Sequence, residues 1–88
     1  MNQDFVIIAF SSTHQAIHFE KRLISNFAIE MIPTLREVSA SCGLSLKFET
    51  DDLEAILVDL ADEDKTGLQL IKVVNNPSGR QIIPLVWR

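Results

Sequence analysis

A run of six apolar residues, FVIIAF at positions 5–10, constrains the fold of this chain more than any other feature. The run is rich in β-branched residues and shows no alternation of apolar and polar side chains, which is typical of a strand covered on both faces. Such a strand lies inside a sheet, so the rest of the chain has to supply neighbouring strands and at least one covering layer. The sequence therefore predicts a layered fold built around residues 5–10.

The remaining segments indicate how those layers are arranged. Their hydrophobic patterns predict, in chain order, a helix from the hydroxyl residues 11–13 to residue 27, a strand at 28–32, a strand at 44–49, a helix from the capping residues 50–52 to residue 60, and a strand at 68–74. The order β-α-β-β-α-β predicts a ferredoxin-like α+β sandwich, in which an antiparallel sheet carries both helices on one face. Residues 80–87 are expected to return as an extra C-terminal strand. Pro84 restricts that strand to an edge, because proline has no backbone N–H.

The chain of 88 residues fits one domain. We expect residues 1–74 to form the ferredoxin-like core and residues 75–88 to form a turn followed by a C-terminal strand or tail. The segment LSLKFE at 44–49 alternates strictly. This alternation predicts a half-buried strand with Ser45, Lys47 and Glu49 on its polar side.

Charge balance and cysteine count bear on partners and compartment. The chain has 8 Lys and Arg against 12 Asp and Glu, a net charge of −4, and its basic residues are scattered, so no nucleic-acid-binding surface is predicted. A single cysteine forms no intramolecular disulfide, which fits a reducing compartment. The first residues lack the positive charge of a signal peptide, and no stretch approaches the ~20 apolar residues of a membrane helix. We therefore expect a cytoplasmic protein without membrane contact.

The single cysteine, Cys42, stands in the small-residue stretch SASCGLSL at 39–46. In the predicted topology this stretch and the 11–13 junction meet at one edge of the sheet, although they are distant in sequence. The unpaired N–H groups at a helix N-terminus lower the pKa of a nearby thiol, and the thiolate is the nucleophilic form. Hydroxyl donors, one positive charge and a flexible glycine would support it. The residues expected in these supporting roles are Ser11, Ser12, Thr13, Arg36, Ser41 and Gly43.

An ordinary structural interpretation fits the same residues. Cys42 is then an inert thiol at a strand entrance, and the 11–13 hydroxyls are helix caps, with Ser12 and Gln15 spaced as a capping box. His14 and His18 have the spacing of a metal pair, but two ligands do not close a site, so no metal site is predicted. The acidic residues between positions 59 and 64 lack calcium-loop spacing and indicate a solvated helix end.

Two stretches, FSSTHQAIHFEKRL at 10–23 and IPTLREVSASCGLSLKF at 32–48, resemble a family of small proteins described as selenium/sulfur carrier-like. The resemblance covers roughly residues 5–50. Leu35 departs from it, because the family usually has a second proline at that position. The residues that match the family pattern are Phe10, Ser12, Thr13, Ala16, Glu20, Ile32, Pro33, Thr34, Arg36, Ser39, Ser41, Cys42 and Gly43.

The resemblance implies that Cys42 holds a sulfur or selenium atom, as a persulfide or selenopersulfide, and passes it from a donor enzyme to an acceptor enzyme. It implies a thiol carrier rather than a turnover enzyme, with no cofactor beyond the transient S or Se adduct on Cys42. An alternative from another class is a small non-catalytic interaction or regulatory module, such as a homodimer, in which Cys42 is incidental. Its contact surface would be the apolar tail of Ile82, Ile83, Leu85, Val86 and Trp87.

Overall fold

The computed structural model describes residues 4–38 and 43–87 and confirms the α+β class. The described part contains five strands and two α-helices. The strands are β1 (Phe5–Ala9), β2 (Ile29–Pro33), β3 (Leu44–Glu49), β4 (Gln69–Asn76) and β5 (Gly79–Leu85), and the helices are α1 (Thr13–Leu23) and α2 (Leu53–Asp59), the latter preceded by a 3-10 turn at Thr50–Asp52. Neither helix within these ranges has the length and apolar character needed to cross a membrane.

The strands form one antiparallel sheet in the order β2-β3-β1-β4-β5. β3 pairs antiparallel with both β1 and β2, so it lies between them as predicted, and those two strands run parallel to each other. β4 pairs with the other side of β1, and β5 adds to β4 as an edge strand. Pro84 therefore lies in an edge strand, as its missing N–H predicted. The order of the five-stranded sheet differs from that of the predicted four-stranded core by this added strand.

Both helices pack on the same face of the sheet, which we call the helix side. Val6 and Ile8 of β1 are fully buried beneath them, because alternate side chains of a strand point to the same face. The core residues that the two helices and their ends contribute are Ala16, Phe19, Leu23, Ile56, Leu57 and Leu60. The predicted placement of two helices on one face is confirmed.

The first helix ends earlier than the apolar spacing predicted. The prediction ran to residue 27, whereas α1 ends at Leu23. The amides of Asn26 and Phe27 both donate to the carbonyl of Leu23, at 3.1 and 3.0 Å, so the chain turns tightly after the helix. Phe27 nevertheless packs against the helix-side core. An apolar residue is therefore needed at this position, and its spacing happens to match that of the apolar residues of the helix.

The opposite face of the sheet is covered by residues 34–38, which we call the crossing segment. Ile7 of β1, together with Ile71 and Val73 of β4, forms a second buried cluster on this face. Leu35 and Val38 of the crossing segment pack against that cluster. The leucine that replaces the proline of the family pattern therefore contributes an apolar contact to the far side of the sheet.

Ser45 lies on the face that the crossing segment covers. The alternation of β3 placed Ser45 on a polar, half-buried strand face, but its exposure is 0%. That prediction is wrong because it took account of β3 alone and not of the chain that lies over it. Lys47 is half-buried and Glu49 is exposed, so this side of β3 has access to solvent further along the strand, as the alternation predicted.

Candidate functional site

Three strand ends and the start of α1 meet at one end of the sheet. Pro33 at the end of β2 pairs with Leu44 at the start of β3. Phe10, just beyond β1, donates its amide to the carbonyl of Leu44 at 3.3 Å, and α1 begins soon afterwards at Thr13. We call this the cysteine end of the sheet, because Cys42 precedes Leu44 by two positions in the sequence. The predicted meeting of these elements at one edge is confirmed for the described residues.

The serine hydroxyls at the start of α1 are occupied by capping contacts. Ser12 is the N-cap, and its Oγ accepts a hydrogen bond from the amide of Gln15 at 3.2 Å. The hydroxyl of Ser11 donates to Oε1 of Gln15 at 2.7 Å. The Ser12–Gln15 spacing is therefore used as a cap, as predicted. The first two amides of the helix, those of Thr13 and His14, have no intrahelical acceptor and point out of the helix N-terminus.

A turn before β4 closes over the start of α1. The side-chain amide of Gln15 donates to the carbonyl of Thr66 at 3.1 Å. Gly67 has a φ of +80°, and a Cβ there would stand 2.6 Å from the Oγ of Ser11, so any other residue would strain the backbone and displace that hydroxyl. Hydrogen bonds from the hydroxyl and then the amide of Thr66 lower the pKa of Asp64. An Asp-x-Thr-Gly pattern is typical of a turn, but nothing in it indicates that the turn contacts the start of α1.

The crossing segment is fixed at both of its ends. At its start the amide of Thr34 donates to the carbonyl of Gly43 at 3.3 Å, which joins the beginning and the end of the β2–β3 connection. Oγ1 of Thr34 lies 2.7 Å from Oγ of Ser45. Further along, Glu37 forms an ion pair with Arg80 of β5 at 3.6 Å. The crossing segment, which follows β2, is therefore held to β3 at its start and to β5 further along.

The predicted site residues lie in different parts of this arrangement. Residues 11–13 are exposed at the start of α1, and Gly43 lies beside Thr34 at the cysteine end. Arg36 is exposed on the crossing segment. Ser41 and Cys42 lie outside the residues that the structure describes. Because α1 packs on the helix side and the crossing segment packs on the opposite face, the two elements leave the cysteine end in different directions. The order of the elements did not predict this divergence.

A charge cluster joins α1 to the end of α2. Arg22 donates to Glu63 at 2.7 Å and to Asp62 at 3.0 Å, and Nε2 of His18 lies 3.0 Å from Glu63. The hydrogen bond to Glu63 is the largest cause of the raised pKa of Arg22. Partial burial acts to raise the pKa of Glu63, but hydrogen bonds from Arg22 and His18 outweigh it, so that the pKa is lowered.

The interpretation of these acidic residues as a solvated helix end is wrong for Glu63, whose side chain is only 16% exposed. No local pattern indicated that Arg22 would reach residues so far along the chain. Within residues 4–38 and 43–87, no three His, Cys, Asp or Glu side chains are grouped so that they could hold a metal ion.

The fold and the cysteine end define a class of small α+β proteins with one cysteine on the connection between two antiparallel strands. The sequence model of a family described as "Putative Se/S carrier protein-like" matches residues 5–72. This range is well over half of the 88 residues, and the chain belongs to that family. Neither the curated proteins nor the solved structures contain a match. The matched range ends within β4, so β5 lies beyond it.

Proposed function

We propose that this protein carries a sulfur or selenium atom on Cys42 between a donor enzyme and an acceptor enzyme. The observation that carries the proposal is the family match over residues 5–72, because that range contains Cys42 and the cysteine end of the sheet. We also propose that β1 to β4 and the two helices form a ferredoxin-like unit within a single domain, to which β5 is added at the edge. Such a protein acts through its partners, and it takes up no cofactor of its own.

The loading step requires only a thiolate and a donor persulfide. The Cys42 thiolate attacks the terminal sulfur of the donor, a new S–S bond forms, and the S–S bond of the donor breaks. The inner sulfur of the donor leaves as a thiolate with the electron pair of that bond, and any proton on the terminal atom stays with it. No oxidant or reductant is consumed. In the release step an acceptor thiolate attacks the same terminal atom and Cys42 leaves as a thiolate, and selenium follows the same course.

The groups at the cysteine end are suited to stabilising an anion. The first amides of α1 present the positive end of the helix dipole. The hydroxyls of Ser11 and Ser12 are engaged with Gln15, so we assign them to holding the start of the helix rather than to direct contact with sulfur. Arg36 is exposed on the crossing segment, two residues beyond Thr34, and we propose that its positive charge acts on the thiol from that segment. We expect these groups to hold the pKa of the Cys42 thiol below the ~8.5 of a free cysteine.

The C-terminal tail gives no support to an interaction module. Ile82 packs against the cluster on the far face, and Leu85 and Trp87 pack against the helix-side core. Val86 alone among these is largely exposed, at 84%. Apolar side chains that are already engaged within their own chain do not form a free contact surface, so the carrier hypothesis is preferred.

Intact-mass analysis after incubation with a cysteine desulfurase or a selenocysteine lyase tests the proposal. We expect the wild-type protein to gain the mass of one sulfur or selenium atom. Cys42→Ser should gain none, whereas the control Ser78→Ala, in the exposed turn between β4 and β5 at the opposite end of the sheet, should load like the wild type. An unmodified wild-type mass with both donors would contradict carriage.

A further inference from the structure

The outer edge of β2 presents backbone groups to which no strand in the described part of the chain is paired. β2 is the last strand on its side of the sheet. Just beyond β2, the amide of Thr34 donates to the carbonyl of Gly43 at 3.3 Å, and bonding to a neighbouring strand alternates along an antiparallel pair. The backbone groups of Ile29, Met31 and Pro33 therefore point away from β3, toward this outer edge.

The positions of two prolines distinguish the two edges of the sheet. Pro33 is the last residue of β2, so the outward amides of Ile29 and Met31 remain as donors. The opposite edge strand, β5, has Pro84 in its interior, where a proline is tolerated because its missing N–H faces away from the sheet. An unpaired edge is a template for a further strand, and β2 offers the less interrupted one.

The flank of α1 on the β2 side carries two exposed apolar side chains. Gln15 and Arg22, seven positions apart, share the other flank and bond to residues 59–66, which follow α2. Ile17 and Ile24, also seven positions apart, lie about half a turn away from these two, on the flank where α1 contacts β2 and β3. They are 43% and 58% exposed. Together with the edge of β2 they form one surface, which we call the β2 surface.

We propose that the β2 surface binds a second copy of this chain, through antiparallel pairing of β2 with β2 about a two-fold axis at Met31. In this register Met31 exchanges both backbone hydrogen bonds with Met31 of the second copy, and each Ile29 amide donates to the opposite Pro33 carbonyl. An axis at Glu30 would place two carboxylates directly opposite each other, which is destabilising. An axis at Ile32 would form fewer bonds, because Pro33 has no N–H. Charge and donor pattern therefore select the axis at Met31.

The two copies of α1 are complementary in charge in the same arrangement. They lie antiparallel and side by side on the helix side of the joined sheet, so that Ile17 of each copy faces Ile24 of the other. Glu20 and Lys21 lie midway between these isoleucines, so each is brought beside the opposite charge of the second copy. Within the described part of the chain, neither takes part in an ion pair. A second copy therefore supplies partners for both charges and covers the exposed isoleucines.

Sedimentation velocity of the full chain at about 100 µM tests the proposal, and we expect the wild-type protein to be a dimer at this concentration. Glu20→Lys places a lysine beside Lys21 of the second copy and should raise the dissociation constant about tenfold. Lys21→Glu should weaken the dimer to a similar extent. The double variant that combines both changes has the wild-type net charge and restores opposite charges across the axis. It is therefore the matched control and should recover the wild-type dissociation constant.

A variant of the strand edge tests the backbone pairing itself. Met31→Pro removes an outward N–H without removing a hydrogen bond to β3, and it should weaken the dimer more than tenfold, whereas Met31→Leu keeps the N–H and should dimerise like the wild type. If Met31→Pro does not fold, as judged by circular dichroism, the charge variants on the surface of α1 decide. A wild-type monomer would overturn the proposal and leave the edge to a strand of another protein. A dimer that Glu20→Lys and a folded Met31→Pro both leave intact would overturn it as well, because the contact would then lie elsewhere.

Discussion

Gly67→Ala tests whether the turn before β4 closes on the start of α1. Gly67 has a φ of +80°, where an alanine costs about 1–2 kcal/mol because of its Cβ. The added Cβ would also stand 2.6 Å from the Oγ of Ser11 and 3.3 Å from its Cβ. The hydroxyl has to rotate away, which breaks its 2.7 Å hydrogen bond to Gln15 and costs about a further 0.5–1.5 kcal/mol. We therefore expect a destabilisation of about 2–3 kcal/mol.

Denaturant unfolding followed by circular dichroism measures this loss, and thermal unfolding should show a Tm lower by roughly 10–20 °C. Gly43→Ala is the matched control, because its φ is not positive and a Cβ there would meet nothing within 4 Å. That control should be unchanged or more stable by up to about 1 kcal/mol.

A double variant separates the two contributions to the cost. If contact with the Ser11 hydroxyl is part of the cost, Ser11→Ala combined with Gly67→Ala should be less destabilised than the sum of the single variants, by about 0.5 kcal/mol or more. Cooperative unfolding of Gly67→Ala at the wild-type denaturant midpoint would refute both the positive φ and the close approach.

Variants at two further positions, Glu63 and Trp87, probe polar groups that are shielded from solvent. Because the pKa of Glu63 is lowered by Arg22 and His18 against the effect of burial, the stability that Glu63 contributes is fully present above its ordinary pKa of about 4.3 and is lost as pH falls through the lower folded value. Denaturant midpoints of Glu63→Gln should therefore lie below those of the wild type at neutral pH and converge with them in acid, and a constant difference at all pH values would contradict this linkage. Trp87→Phe should lie within about 1 kcal/mol of the wild type, because Nε1 is buried without a hydrogen-bond partner among the described residues. Trp87→Ala should cost about 2 kcal/mol or more through lost packing, and a similar cost for both variants would instead indicate a hydrogen bond to Nε1.

The elements that local pattern controls were predictable. The strict alternation at 44–49 predicted the bounds of β3, Leu44–Glu49, because side chains alternate between the faces of a strand. Pro84 predicted an edge strand for a reason that holds in any sheet, namely its missing donor. The first helix was predicted to extend to residue 27, which is wrong because Phe27 reaches the same core from a turn instead of from the helix.

The candidate site was predictable only as a location. The order of the elements brings the ends of β1 and β2 to the start of β3, since short connections leave few other arrangements. The contacts within that location depend on which side chains meet in the folded chain. The sequence pattern of a single element cannot predict such contacts. The pairing of Thr34 with Ser45 and the closure of Gly67 on Ser11 are of this kind.

By itself the sequence determined the α+β class, the central position of β1 and the family to which the chain belongs, because these follow from periodicity, order and motif. Only the tertiary structure decided that a serine on the polar side of β3 is buried. It also decided that Arg22 reaches Glu63, forty-one positions along the chain. The physical reason is common to both, because burial and hydrogen bonding depend on what the folded chain brings over each residue. For Ser45 the covering element is the crossing segment, whose course over the far face could not be predicted from any local sequence pattern.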